Sequence, residues 1–182
     1  LSTPEQRNLA DRVKDILGER AAGVCAQAVM HVPVEVARAA CEMATALEAD
    51  CCVAIGGGST IGLGKAIALE SSLPIIAVPT TYAGSEMTPI FGLTEGRLKR
   101  TGRDARVLPR TVLYDANLTL SLPAEISAAS GINAMAHAVE ALYAEDANPI
   151  TSLMAEESIR ALGDALPVIV RTPGDAGMRS RA

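Results

Sequence analysis

Tryptophan is absent from this sequence, phenylalanine occurs once and tyrosine three times. An interior of stacked aromatic rings is therefore excluded, and Ala, Val, Ile and Leu must fill the core. The four cysteines, Cys25, Cys41, Cys51 and Cys52, form no CxxC pair and lie near no histidine at zinc-finger spacing. A disulfide between the adjacent Cys51 and Cys52 would be strained, so the thiols read as reduced and the protein as cytoplasmic. No apolar run is long enough to span a bilayer, and no secretory leader is read at the start. No long run of one charge sign occurs, and the net charge is -5. Both features speak against a nucleic-acid partner, which a basic stripe would attract.

What remains is a chain of 182 residues, 49% hydrophobic and 20% charged, enough for one packed domain or one domain and part of another. Residues 4–18 pattern as an amphipathic helix, with Pro4 in its first turn and Gly18 at its stop. Residues 22–29 read as a short strand and 34–49 as a second helix. Short apolar strands are expected at 51–55, 74–78 and 111–114, with a helix at 60–70 between the first two. Alternating strands and helices imply a parallel sheet covered on both faces. After Leu122-Pro123 the pattern changes to two helices, 123–144 and about 149–170, with no strand between them. The fold class is thus α/β: a Rossmann-like parallel-sheet nucleotide-binding domain, residues 1–120, followed by the start of an all-α domain, residues 121–182. The opening Leu1-Ser2-Thr3-Pro4 reads as a strand end entering a helix, and Thr172–Ala182 as a polar tail. Both ends look cut.

The run CCVAIGGGSTIGLGK, Cys51 to Lys65, is a strand, a glycine turn and a helix start. Gly56, Gly57 and Gly58 let backbone approach a pyrophosphate without a Cβ clash. The free N–H groups and dipole of the helix start favour the anion, and Ser59 can donate a hydroxyl or cap the helix. The spacing is neither GxGxxG nor Walker A, and such a turn also occurs for purely structural reasons. The second signal is Gly131–Tyr143, where Asn133 and His137 stand four residues apart and share a helix face, with Glu140 further along it. Taken alone, His137 also reads as a hydrogen-bonded histidine on an Ala-rich helix.

Strand-GGGS-helix followed by PTTYAGSE at 79–86 resembles the nucleotide-binding half of iron-type alcohol dehydrogenases. The resemblance implies NADH or NADPH as cofactor. Its pyrophosphate would sit on Gly56, Gly57, Gly58 and Ser59, and its nicotinamide and ribose near Thr80 and Thr81. Lys99, in the loop that follows, is a further implied cofactor contact. Thr3 stands where NAD-preferring relatives often carry an Asp. A hydroxyl there would not repel a 2′-phosphate, so use of both cofactors is expected. The family has an Asp and a His at the 133/137 spacing, both metal ligands, and two later histidines. Here the first position is the amide Asn133, and no later histidine follows His137. An amide oxygen offers a dipole where a carboxylate offers a full charge, so no tightly bound metal is expected. Gly62 also stands where many metal-dependent relatives have an Asp.

Asn at 133, with GGGSTIGLGKAIAL, PTTYAGSEMTPIFGLTE and LTLSLPAEISAASGINAMAHAVEALYA, resembles the maleylacetate reductase subfamily over nearly the whole chain. That resemblance implies hydride addition to a carbon–carbon double bond conjugated to a ketone, in aromatic-compound degradation. His137 is the implied donor to the developing enolate, Asn133 orients it or the substrate, and Tyr82 faces the substrate or packs beneath the cofactor. The substrate is a dicarboxylate, for which Arg100 and Arg103 are possible partners, though both also read as solvated loop residues. Homodimerisation of the full-length protein is implied as well. A metal-dependent alcohol dehydrogenase and an inactive nucleotide-binding fragment are the competing readings.

Overall fold

In the computed structural model, which describes residues 1–182, the first residues line the edge of a parallel sheet. The Leu1 amino group donates to the Val53 carbonyl at 2.6 Å, and the Ile55 amide donates to the Leu1 carbonyl at 3.0 Å. A 3-10 turn, Pro4–Gln6, then leads into α1 (Arg7–Leu17). Residues 22–29, expected as a strand, do not form one. Ser2 bonds to Cys25 and Ala28, each at 3.1 Å, and this short contact builds no ladder. α2 (Val34–Ala46) buries Ala37 and Ala40.

β1 (Cys52–Gly56), α3 (Gly58–Ser71) and β2 (Ile75–Pro79) follow. β1 and β2 pair in parallel from Cys52↔Ile75 to Gly56↔Pro79, so both strands end at the same edge of the sheet. Eight residues of α3 are buried, from Thr60 to Ala68, which is why its sequence shows no polar face. The core around it is aliphatic: Ala54, Ile61, Ala68, Ile75 and Ala77 in one cluster, Leu63, Ala66 and Ile67 with α2 in another.

β3 (Ile90–Glu95) and β4 (Leu98–Arg103) form an antiparallel hairpin. This corrects the expected loop around Lys99, Arg100 and Arg103. Gly96, at φ +59°, closes the two-residue turn between Glu95 and Leu98. β4 is polar and exposed on both faces, so it lacks the alternation that marks a half-buried strand. β5 (Thr111–Val112) completes a three-stranded sheet in the order β1-β2-β5, parallel throughout.

The chain separates into two compact units, Leu1–Pro79 with Gly84–Tyr114, and Thr80–Ala83 with Asp115–Ala182. The second unit is helical. α4 (Ala124–Leu142) and α5 (Pro149–Arg171) pack closely: a Cβ on Gly131 would stand 2.8 Å from Leu166 Cδ1. The Asn148 side chain caps α5 by accepting from the amides of Ile150 and Thr151. The expected polar tail at Thr172–Ala182 is instead largely ordered as α6 (Ala176–Arg181), capped by Asp175, with Arg179 only 2% exposed. A buried arginine makes a tail look polar by composition while anchoring it in the fold. No helix is long and apolar enough to cross a membrane. None of the four cysteines is in a disulfide, and burial pushes the Cys52 thiol up to about 11.

Candidate functional site

In the first unit the glycine turn occupies the carboxyl edge of the sheet, where ligands of open α/β folds bind. Gly56 has φ +155°, and a Cβ on it would stand 2.8 Å from Thr60 Cβ and 3.0 Å from Gln6 Oε1. Only glycine fits that backbone. α3 begins at Gly58 after Gly57, and no side chain caps it. Ser59 is therefore not the cap, and the first amides of α3 have no partner within their own helix. Thr60 Oγ1, just beneath, is buried without a hydrogen-bond partner. An uncapped helix start behind a clash-free glycine turn fits a pyrophosphate.

Thr3 lies two residues beyond the Leu1 pairing with β1, at the same end of the sheet as Gly56. Its extended backbone precedes the 3-10 turn. Glu5 is held below the usual carboxylate range by its own backbone N–H and by the Thr3 hydroxyl. The position thus has a carboxylate two residues away, which sequence comparison at Thr3 alone overlooks. Gly62 sits where a Cβ would come within 2.9 Å of Val32 Cγ2, so an Asp there requires that side chain to move.

Lys65, in the middle of α3, was not singled out by the sequence. It is 1% exposed, and its ammonium donates to Thr88 O at 2.7 Å, Thr88 Oγ1 at 3.1 Å and Ile90 O at 2.7 Å. Desolvation lowers its pKa to about 8, against the opposing pull of Glu86. Glu86, also buried, accepts from the Tyr114 hydroxyl at 3.1 Å. Burial and the Glu86 charge push Tyr114 up to about 12. Lys65 thereby ties α3 to the start of the hairpin that carries Lys99. Lys99 is exposed on β4 opposite Thr94, Arg100 forms an ion pair with Glu95 at 3.4 Å, and Arg103 is exposed.

In the second unit, the loop Thr80–Ala83 meets α4. Thr80 is buried and Thr81 half-buried. The Tyr82 amide donates to Ser130 Oγ at 3.0 Å. Ser130, Asn133 and His137 follow at i, i+3 and i+7, one stripe of α4. Tyr82 is thus tied to the N-terminal end of the Asn133–His137 stripe. Asn133 and His137 are both exposed. His137 Nδ1 lies 3.1 Å from Glu140 Oε2, which leaves Nε2 as the ring nitrogen open to a substrate. No three His, Cys, Asp or Glu side chains cluster so as to hold a metal ion. The candidate ligands that the stripe itself offers are one amide and one imidazole.

The family profile described as iron-containing alcohol dehydrogenase matches residues 2–116, and the profile of that family's C-terminal region matches 127–182. The chain is 63% identical over all 182 residues to a maleylacetate reductase of Burkholderia cepacia, covering 52% of it. It superposes on the crystal structure of maleylacetate reductase from Agrobacterium tumefaciens with a TM-score of 0.96 at 56% identity, over 99% of this chain and 51% of that one. It also superposes on a sulfoacetaldehyde reductase from Bifidobacterium kashiwanohense in complex with NAD+, with a TM-score of 0.94 at 25% identity, over 99% of this chain and 54% of that one. The chain therefore spans about half the length of the relatives it matches. Profile, strand order and glycine turn agree, and the chain belongs to the iron-containing alcohol dehydrogenase family.

Proposed function

We propose that the full-length protein is a maleylacetate reductase, reducing maleylacetate or a substituted maleylacetate to 3-oxoadipate or its analogue with NADH or NADPH. Residues 1–120 form the cofactor domain and 121–182 the start of the catalytic domain. The observation that carries the reading is Asn133 on the α4 stripe it shares with His137 and with Ser130, the anchor of Tyr82. An amide where relatives place a metal-binding carboxylate suits a reaction that proceeds by hydrogen bonding.

The uncapped start of α3, with Gly56, Gly57, Gly58 and Ser59, would hold the cofactor pyrophosphate. Thr80 and Thr81 would line its nicotinamide and ribose, and Lys99 would add a cation. Reduced nicotinamide would supply a hydride to the double-bond carbon remote from the ketone. Charge then develops on the ketone oxygen, where His137 donates a hydrogen bond from Nε2 when its ring is doubly protonated. Asn133 orients His137 or a substrate carboxylate, and Tyr82 faces the substrate. A proton added at carbon completes the reduction. Conjugation spreads the developing charge, so the reaction gains less from a Lewis acid than reduction of a simple ketone does. The protein is proposed to be cytoplasmic and homodimeric.

The experiment is NADH consumption by purified full-length protein with maleylacetate, combined with metal analysis of the same sample. Turnover with far less than one transition ion per subunit is expected. Stoichiometric iron or zinc, with activity lost on chelation and restored by the ion, would overturn this reading in favour of a metal-dependent alcohol dehydrogenase.

A further inference from the structure

Of the two arginines of α6, Arg181 pairs with Asp164, whereas Arg179 is buried without an anion. Arg179 donates from Nε to Pro173 O at 3.1 Å, from Nη1 to Ser127 Oγ at 2.6 Å and to Tyr82 Oη at 3.3 Å, and from Nη2 to Leu122 O at 3.0 Å. Every acceptor is neutral. A buried cation without a carboxylate partner is costly, and its hydrogen bonds are what offset the loss of water. Those bonds gather the turn before α4, α4 itself, the turn before α6 and the loop that carries Tyr82. Tyr82 is consequently held at both ends, its amide by Ser130 and its hydroxyl by Arg179.

The direction of the last bond matters. A guanidinium has donors only, so the phenol oxygen accepts from it and the phenolic hydrogen must be given to some other group. We propose that Arg179 is a positioning residue: by gripping the Tyr82 hydroxyl while bonded to Ser127 and the Leu122 carbonyl, it fixes that ring at the head of the Ser130–Asn133–His137 stripe, with the phenolic hydrogen left for the substrate. The catalytic part of this inference rests on the proposed reductase function; the anchoring part does not.

The test uses full-length protein and the variants Tyr82→Phe, Arg179→Lys, Arg179→Met and the double variant Tyr82→Phe/Arg179→Met. Two measurements are made: kcat and KM with maleylacetate and NADH, and amide hydrogen exchange of segment 80–83 without substrate. Tyr82→Phe and Arg179→Met should each lower kcat about 100-fold, the low end of what a positioned proton donor contributes, while KM for NADH stays within about 3-fold. The double variant should be no slower than the worse single one, because both changes remove the same arrangement. Arg179→Lys should recover part of kcat, since a buried cation with three donors persists. Arg179→Met should speed exchange in 80–83 at least about 10-fold and leave 52–71 unchanged, as expected of a local opening. Wild-type kcat in Arg179→Met, multiplicative losses in the double variant, or unchanged exchange in 80–83 of Arg179→Met would overturn the proposal. Should Arg179→Met fail to fold, Arg179→Lys takes its place in both the cycle and the exchange measurement. If wild-type protein consumes no NADH with maleylacetate, the reductase reading fails, and hydrogen exchange still decides whether Arg179 anchors the loop.

Discussion

Single residues of this chain show how burial and charge redirect what composition suggests. Lys65 counts as one more cation in the sequence, yet in the fold its ammonium satisfies three oxygens at the foot of the hairpin. Lys65→Met should cost about 1–3 kcal/mol, because Thr88 O and Ile90 O lose their donor. The folded protein releases this proton near pH 8, whereas the unfolded chain holds it to the ordinary 10.5. Between those values the unfolded state binds more protons, so raising pH favours the fold. Denaturant midpoints at pH 7.5 and 9.5 should show the wild type gaining stability relative to Lys65→Met; a constant or shrinking gap would reject the assignment. Glu5 is a second case. Thr3 alone suggests indifference to a 2′-phosphate, but Glu5, in the 3-10 turn that follows it, places a carboxylate two residues away. Both cofactors should serve, with a bias to NADH. Glu5→Gln should raise the NADPH/NADH ratio of kcat/KM about 3- to 10-fold, as loss of one nearby repelling charge implies. An unchanged ratio would show that Glu5 lies away from the ribose.

Among the elements, the β1–α3 turn was the most legible and the hairpin the least. A buried strand running into three glycines and a helix has few alternative conformations, and the structure reproduces it within a residue or two. Gly56→Ala should destabilise the protein by about 1–3 kcal/mol, since a Cβ at φ +155° presses on buried Thr60. It should also weaken NADH binding, by titration, more than Gly84→Ala does. Equal effects would remove the special standing of this turn. Gly84, also at positive φ, has no neighbour near its Cβ position and serves as the control for backbone strain alone. β4 escaped the sequence because an exposed polar strand carries no periodicity, β3 because its half-buried Ile90–Glu95 run lacks strict alternation, and only Gly96 marks their turn. α6 escaped because its one apolar-like anchor is an arginine.

For the molecule as a whole, the second unit exposes large apolar side chains on α4 and α5: Ile126, Ile132 and Val139, then Ile150, Leu153 and Met154. So many large apolar side chains exposed on two packed helices suit a covered surface. Residues 1–182 expressed alone should therefore bind a hydrophobic dye more strongly, per mole, than the full-length protein, and should associate at lower concentration. Equal dye binding would mean that the remaining part of the relatives' length does not cover this face.

The sequence by itself determined the alternation of strands and helices, the glycine turn, and the placing of Asn133 and His137 on one helix face, because each depends only on local backbone preference and helical spacing. Tertiary structure alone decided that Lys65 and Arg179 are buried, that Glu86 pairs with Tyr114, and that Tyr82 is anchored to α4. The bonds from Lys65 to Thr88, from Tyr114 to Glu86 and from Arg179 to Tyr82 join residues 23, 28 and 97 positions apart in the chain. A contact at such a separation is created by packing and leaves no periodic mark on the residues that make it.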